Sequence, residues 1–589
     1  MKEKDLDFEE DEKEQNNEDN MINTNSQKLN NIIEENLINT DDLLENNLKG
    51  EPQIFECELF DKGRINYINL IINEQKRNIS IQLKLKSLNS ENKEESSEKK
   101  EKEEEDYINL KTINQIDIIS FMPQEDINEV KLDEIKTFLS TMEDKENSKL
   151  LNEKEICSLT YYPNISKSKC NFCKCIFCCD CKCRSAYKER ELVIDYFLIK
   201  SEYINKIKES LYHISLPKLH ELKSKDRKRK ILAFINPIGG TGNAVNLWER
   251  AKKVLNQAYL DIDTIITRQF KEAYNYVLTL DPLKYDGFIT CSGDGIIHEI
   301  INAIFHRSEE DKNKFLDHCA LCALPAGSGN AISKAISYYS GDENGIEINC
   351  YYLCKGIKKK IDVQEMQLKG VEKNVYSVIA FMYGFLADCD LESEFLRCIG
   401  FFRTTIMGLV RYIFLRDYIG TFYYLPNTVS DDIINSIPSI EENIDDVSKY
   451  GIIKESDQYN IFITNNIKFC SESISSHPLA EMDDGYSEIF MVPQSRGGGR
   501  WPLLKCLLND IDNGAYFTDE NKTNLKNGYD YKKVKWWRFI PKKSRTDPDD
   551  VNLKINFSSL YSIDGERYPI VPIQCRTLNK IINFYSGKE

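Results

Sequence analysis

Apolar positions fall in short runs, and none reaches 18 consecutive residues, the length a membrane span would need. Residues 1–50 are rich in Asn, Glu and Asp and poor in aromatics, so this acidic tail is expected to be disordered. The runs 55–59, 64–72, 78–85, 107–110, 115–122 and 191–199 are dense in Ile, Leu and Tyr at strand-like spacing. Residues 201–214 set Ile204, Ile207, Leu211 and Ile214 on one face, which predicts an amphipathic helix. From residue 231 the pattern changes. Strand runs at 231–235, 261–267, 287–290, 321–324 and 359–366 alternate with helical patterns at 244–258, 274–280 and 296–305, which predicts a mostly parallel α/β lobe. Beyond about residue 370, strand patterns recur at 375–380, 421–425, 459–465, 487–492, 534–540 and 553–557. They predict an antiparallel, β-rich second lobe, interrupted by a helical excursion over 391–418 and by polar loops at 427–458 and 542–551.

At 589 residues the chain is expected to hold several domains. They are a tail (1–50), a β-domain (51–216), a basic linker (217–228), an α/β lobe (229–366) and a β-rich lobe (367–589). Strands closed by one helix are the pattern of a pleckstrin-homology-like barrel, here split by a Glu/Lys block at 91–106 and a cysteine cluster. The net charge of −17 argues against general affinity for nucleic acid or anionic membrane. The start, Met1 to Asp5, lacks a signal-peptide apolar region and Lys2 excludes N-myristoylation, so a cytoplasmic protein is expected. The cluster Cys170, Cys173, Cys175, Cys178, Cys179, Cys181 and Cys183 has metal-ligand spacing in part and basic neighbours that would suit acylation; an exposed loop is the third reading.

Three of the α/β runs end in glycine-rich turns: Asn236-Pro237-Ile238-Gly239-Gly240-Thr241-Gly242, Ser292-Gly293-Asp294-Gly295, and Gly327-Ser328-Gly329-Asn330. A strand, a glycine turn and a helix together aim backbone N–H groups and a helix N-terminus at phosphate. The first turn is not a Walker loop, because Asn243-Ala244 follows it where that motif needs Lys-Ser/Thr. Three turns at the ends of neighbouring strands point to one phosphate cradle. Asp294, between two glycines at a strand-to-helix corner, reads as an acid held up to solvent. It would accept a proton or organise Mg²⁺, and equally would serve as a helix N-cap. Glu299 is a polar or magnesium contact in the same reading; His298 reads as structural.

These turns, in this order, with His298-Glu299 after the second, resemble the catalytic domain shared by diacylglycerol, ceramide and sphingosine kinases. The segment Gly384 to Glu394 and the run Ile563-Asp564-Gly565-Glu566 are most similar to sphingosine kinases, over roughly residues 229–585. The resemblance implies that Asn236, Pro237, Ile238, Gly239, Gly240, Gly242, Thr267, Lys271, Glu299, Gly327, Ser328 and Gly329 line ATP, with Arg397 and Arg403 on its phosphates and Asp564, Gly565 and Glu566 closing the site. It implies that Ser292, Gly293, Asp294 and Gly295 touch both nucleotide and lipid, with Asp294 as catalytic base, and that Asp390 meets the lipid headgroup. Ile238 departs from the basic residue frequent there.

The residues alone agree on charge. The first turn supplies no lysine, so Arg397 and Arg403 are candidate cations. Asp390 suits an ammonium headgroup, unless it or Asp388 caps the following helix. The apolar excursion 401–418 is either a lipid-tail wall or core. Asp483-Asp484-Gly485 reads as a turn. The expected activity is transfer from ATP, with Mg²⁺, to the primary hydroxyl of a sphingoid base, with peripheral membrane contact. No residue is assigned as a metal ligand. The rivals are a ceramide or diacylglycerol kinase, a silent lipid-binding adaptor and a nicotinamide nucleotide kinase.

Overall fold

The computed structural model describes residues 53–61, 64–73, 78–84, 107–114, 118–122, 154–161, 164–167, 187–190, 193–214 and 228–588, apart from 240, 241, 259, 400, 401, 427–429, 554–556 and 558. The acidic tail, the Glu/Lys block, the segment 132–148 and the cysteine cluster lie outside these residues, as do Gly240 and most of the basic linker. Two compact units result: residues 1–159 with 194–215, and residues 160–193 with 216–589.

The first unit holds a seven-stranded sheet. Strands Gln53–Asp61, Arg64–Asn73, Asn78–Lys84 and Tyr107–Asn114 pair antiparallel in sequence order, and Val193–Lys200 joins the far edge of the first. The predicted amphipathic helix is present as Ser201–Ile214, with Ile204, Ile207 and Leu211 buried. The strand Lys154–Tyr161 is an addition to the sequence reading.

In the second unit, four parallel strands, β1 (Arg229–Ile235), β2 (Leu260–Ile266), β3 (Gly287–Ser292) and β4 (Ala320–Pro325), lie in the order β2-β1-β3-β4. β3 is buried throughout, and its continuous apolar run is what a parallel strand covered on both faces requires. β2 alternates because it is the edge. Six helices connect and cover the sheet: α1 (Ala244–Leu255), α2 (Glu272–Thr279), α3 (Asp294–Phe305), α4 (Glu309–His318), α5 (Ala331–Ser340) and α6 (Ile346–Lys355). α3 is buried from Ile296 to Phe305.

The antiparallel part begins with β5 (Lys358–Leu368), β6 (Val375–Ser377) and β7 (Ala380–Gly384). There follow α7 (Phe385–Glu392), a 3₁₀ segment (Ser393–Ile399) and α8 (Phe402–Ile413). Then come β8 (Ile419–Tyr424), β9 (Ile453–Asn465), β10 (Ser487–Pro493), β11 (Asp530–Val534) and β12 (Trp536–Lys542). The chain closes with β13 (Leu560–Ile563), β14 (Glu566–Pro569) and β15 (Ile573–Tyr585). The 13-residue strand β15 pairs parallel with β4 and antiparallel with β5 and β12, so both parts share one sheet.

Several expectations need correction. The helical excursion starts at Phe385, six residues before the predicted Leu391, because Gly384 turns the chain at φ 94°. Leu553 and Phe557 are not in a strand; the strands there begin at Leu560. The segment 427–458 is not simply a loop. It carries the helix Asp431–Ser436 and the first residues of β9. Ile437 and Ile452 join a buried cluster with Tyr423, Trp536, Ile540 and Val551, so alternating polar residues hid a face that docks on the sheet.

Candidate active site

The three glycine turns follow β1, β3 and β4, which are neighbours, and the first two flank the point where the strand order reverses between β1 and β3. Open α/β sheets bind ligands in such a crevice. In the first turn, the Asn236 side chain accepts hydrogen bonds from the amides of Ile238 (3.1 Å) and Gly239 (3.0 Å), so it shapes the loop. Pro237 is half-buried, Ile238 is 75% exposed, and Gly242 closes the turn by donating to the Gly239 carbonyl at 3.1 Å. Turns two and three touch. A Cβ on Gly327 would sit 2.2 Å from Gly293 Cα, which makes glycine obligatory there. Ser328 is exposed at the tip.

Asp294 differs from its expectation. It is half-buried, and it does cap a helix, but not its own. Its carboxylate accepts hydrogen bonds from the amides of Ala331 (2.9 Å) and Ile332 (3.3 Å) at the start of α5. Burial raises its pKa to about 6, helped by the negative Asp564 and opposed by those amides. One amide per oxygen leaves each oxygen able to accept again. Gly295 stands beside Glu566, whose Oε1 would lie 3.1 Å from a Cβ added there. Burial raises the Glu566 carboxyl as well.

Glu299 is buried and bonds backbone. It accepts hydrogen bonds from Lys271 N (3.0 Å) and Tyr274 N (3.2 Å), capping α2 from the neighbouring helix. Lys271, at φ 63°, is the N-cap residue of α2. Thr267 is turned inward, its hydroxyl donating to the Ile235 carbonyl at 3.2 Å.

Asp564 and Gly565 are the two turn residues of the hairpin β13–β14, at φ 53° and 86°, the paired positive values of a type I′ turn. The Asp564 side chain is almost wholly buried. It accepts hydrogen bonds from Ser377 Oγ (2.6 Å), Val378 N (3.3 Å), Ile379 N (3.1 Å) and Ala380 N (3.0 Å), and faces His298 Nδ1 at 3.0 Å. His298 Nε2 lies 3.0 Å from Tyr568 Oη. His298 therefore ties α3 to the far end of the chain. The Asp-Gly dipeptide was the sequence signal for the hairpin, whereas nothing near His298 announced its partners.

Asp388 and Asp390 separate clearly. Neither caps a helix. Asp388 is buried against Arg416 (2.6 Å), Tyr418 Oη (2.8 Å) and Ser559 Oγ (3.2 Å). Asp390 is half-buried and accepts one side-chain hydrogen bond, from Ser562 Oγ at 3.0 Å. Burial raises its carboxyl, and the charge of the half-buried Arg403 opposes that rise. The Arg397 side chain lies outside the described residues. Asp483-Asp484-Gly485 is a turn in which Lys359 pairs with Asp483 (3.0 Å) and Lys533 with Asp484 (2.6 Å).

Residues 230–366 match the diacylglycerol kinase catalytic domain. A sphingoid long chain base kinase 4 of Schizosaccharomyces pombe is 26% identical over 374 residues, 60% of this chain and 74% of its own length. Sphingosine kinase 1 of Mus musculus is 28% identical over 300 residues, 48% of this chain and 76% of its own. Sphingosine kinase 1 of Homo sapiens is 31% identical over 206 residues, 34% of this chain and 53% of its own. Among solved structures, a diacylglycerol kinase from Bacillus anthracis aligns over 61% of this chain and 97% of that one, at 16% identity and a TM-score of 0.40. The family model and the kinase relatives bear out the resemblance carried by the motifs.

Proposed function

We propose that this chain, with a diacylglycerol kinase catalytic domain over residues 230–366, is an ATP-dependent lipid kinase of the sphingosine kinase type. It transfers the γ-phosphoryl group of ATP to the primary hydroxyl of sphingosine or a related sphingoid base, giving sphingosine 1-phosphate. The observation that carries this reading is the pairing of a phosphate cradle with two carboxylates that retain accepting capacity, Asp294 and Asp390.

The glycine turns present amides to the phosphates. Asp294 takes the proton of the attacking hydroxyl, and its pKa of about 6 leaves it mostly ionised at neutral pH yet basic enough to accept. Asp390, with one oxygen committed to Ser562, meets the substrate ammonium with the other. Arg397 and Arg403 supply the cations that the first turn lacks. Magnesium, when bound with the nucleotide, would neutralise charge developing on the transferred group. It prefers one or two carboxylates plus phosphate oxygens, and the half-buried Glu566, beside Gly295 of the second turn, fits that donor set. Positioning and electrostatics supply most of the acceleration in such transfers.

Membrane contact in this reading uses α8. Leu409, Ile413 and Phe414 are 63%, 56% and 69% exposed, and Ile406 and Val410 share the same helical stretch. Arg500 donates to the Tyr412 carbonyl at 3.0 Å, and Trp501 beside it is 79% exposed. Exposed apolar surface of this kind marks a lipid or partner contact. The first unit is read as pleckstrin-homology-like, which its antiparallel sheet and the helix Ser201–Ile214 support.

The test is labelled ATP offered with sphingosine, ceramide and diacylglycerol side by side. Transfer to sphingosine well above the other two is expected. Transfer to diacylglycerol or ceramide alone would replace the proposed acceptor.

A further inference from the structure

The third glycine turn is held from two directions. From within, Asn330 brackets it. The Asn330 Oδ1 accepts from Gly327 N at 2.8 Å and Nδ2 donates to the Gly327 carbonyl at 3.1 Å. Asn330 itself sits at φ 55° as the N-cap residue of α5, the helix whose amides bind Asp294. From outside comes a tight turn of the antiparallel part, closed where Cys470 N donates to the Ile474 carbonyl at 3.1 Å. At its tip is Glu472. Its amide donates to the Gly329 carbonyl at 2.6 Å. Its carboxylate accepts from Asn330 Nδ2 at 3.1 Å and from Asn344 Nδ2 at 3.1 Å, one donor on each oxygen.

We propose that Glu472 is a positioning residue that locks the third glycine turn in the shape that receives the nucleotide phosphates. The proposal rests on the kinase reading of the turns. Two of its three contacts fix the turn itself: one through the backbone, and one through Asn330, the residue that shapes it. The third, to Asn344, anchors the carboxylate on the loop after α5. Three contacts at one residue define an orientation, where a single exposed hydrogen bond would not. Because Glu472 lies 142 residues beyond Asn330, the cradle is complete only when the antiparallel part is docked against the parallel sheet. A carboxylate is suited to this task because it accepts from two amide groups at once, whereas a neutral amide has one accepting oxygen.

The test uses the full chain and mant-ATP, first without lipid and then in steady-state transfer to sphingosine. Glu472→Ala is expected to weaken mant-ATP binding about tenfold and to raise the KM for ATP by the same factor, as expected when charge-assisted bonds bracing a loop are lost. The KM for sphingosine and the melting temperature should hold. Glu472→Gln, which keeps one acceptor, is expected to lose about threefold. In an Asn330→Ala background, Glu472→Ala should add less than about twofold, because both act through one turn. Unchanged mant-ATP binding in Glu472→Ala would overturn the proposal. So would a loss matched by an equal rise in the sphingosine KM and a lower melting temperature, the mark of a merely structural residue. A full tenfold further loss in the Asn330→Ala background would overturn the route through Asn330. A wild-type chain that binds mant-ATP but leaves sphingosine unmodified loses the acceptor reading, while the Glu472 result stands.

Discussion

Two sets of carboxylates surround the crevice, and the antiparallel part contributes to both. Asp564, Asp388 and Glu299 are buried. Asp564 is met by a hydroxyl, three amides and His298, Asp388 by Arg416 and two hydroxyls, and Glu299 by two amides. Asp294, Asp390 and Glu566 are half-buried. Asp294 has one amide per oxygen, and Asp390 has one hydroxyl. All six belong to motifs that the sequence singles out equally. What divides them is whether the fold has closed over them. A carboxylate enclosed together with its donors holds structure together, and one still partly open, with lone pairs to spare, can meet a ligand.

The sharpest way to break this division is at Asp294. Asp294→Asn should lower turnover by ~10²–10⁴, the range for loss of a general base, while the cap on α5 persists through the remaining oxygen. The wild-type rate carries a signature of the same group. A base must be ionised, so with a pKa raised to about 6 by burial, the rate should hold above that pH and fall as pH drops through it. A folded Asp294→Asn chain with near-normal turnover would remove Asp294 from the acids that meet a ligand.

At Asp564 the division predicts a stability effect. Asp564→Ala strands a hydroxyl, three amides and His298 in the interior and should cost about 3 kcal/mol in denaturant unfolding. A chain of undiminished stability that no longer binds ATP would place Asp564 with the ligand contacts.

Much of the site was legible because its devices are local. A strand, a glycine turn and a helix recur within a few residues of Gly239, Gly293 and Gly327, and the amphipathic spacing of Ile204, Ile207 and Leu211 marks a helix. What stayed hidden depends on distant partners. Asp564 is met by Ser377, 187 residues away, and Glu299 by Lys271, 28 residues away. No spacing rule reports whether such donors arrive. The strand β15 was missed for a related reason. Arg576, Asn579 and Lys580 break its apolar pattern, and pairing with three different strands replaces a single alternating face.

Asp390 and Asp388 allow a finer test, since they are two residues apart on α7. Asp390→Asn should lower kcat/KM for sphingosine by roughly 10–100-fold, the worth of a charge-assisted hydrogen bond to an ammonium, with the KM for ATP nearly constant. Asp388→Asn should instead show first as a lower melting temperature, because it leaves Arg416 with a weakened partner in a buried site. Equal losses toward both substrates at Asp390 would refute the headgroup contact.

The smallest effect should come from Glu299, a buried acid on the helix that follows the second glycine turn. By resemblance it occupies a nucleotide position, yet both of its oxygens face amides at the start of α2. It therefore acts on ATP through the loop that carries Lys271. In Glu299→Gln one oxygen still accepts, but the new NH₂ group faces an amide N–H and leaves it unsatisfied, a cost of about 1 kcal/mol. The charge at the helix N-terminus is lost as well. The expected outcome is a rise of about fivefold in the KM for ATP with kcat unchanged, in line with a loss of roughly 1 kcal/mol that loosens the loop and leaves the chemistry alone. A hundredfold fall in kcat would mean that Glu299 acts on the transferring phosphate itself, and burial would then no longer separate structural from functional acids in this crevice.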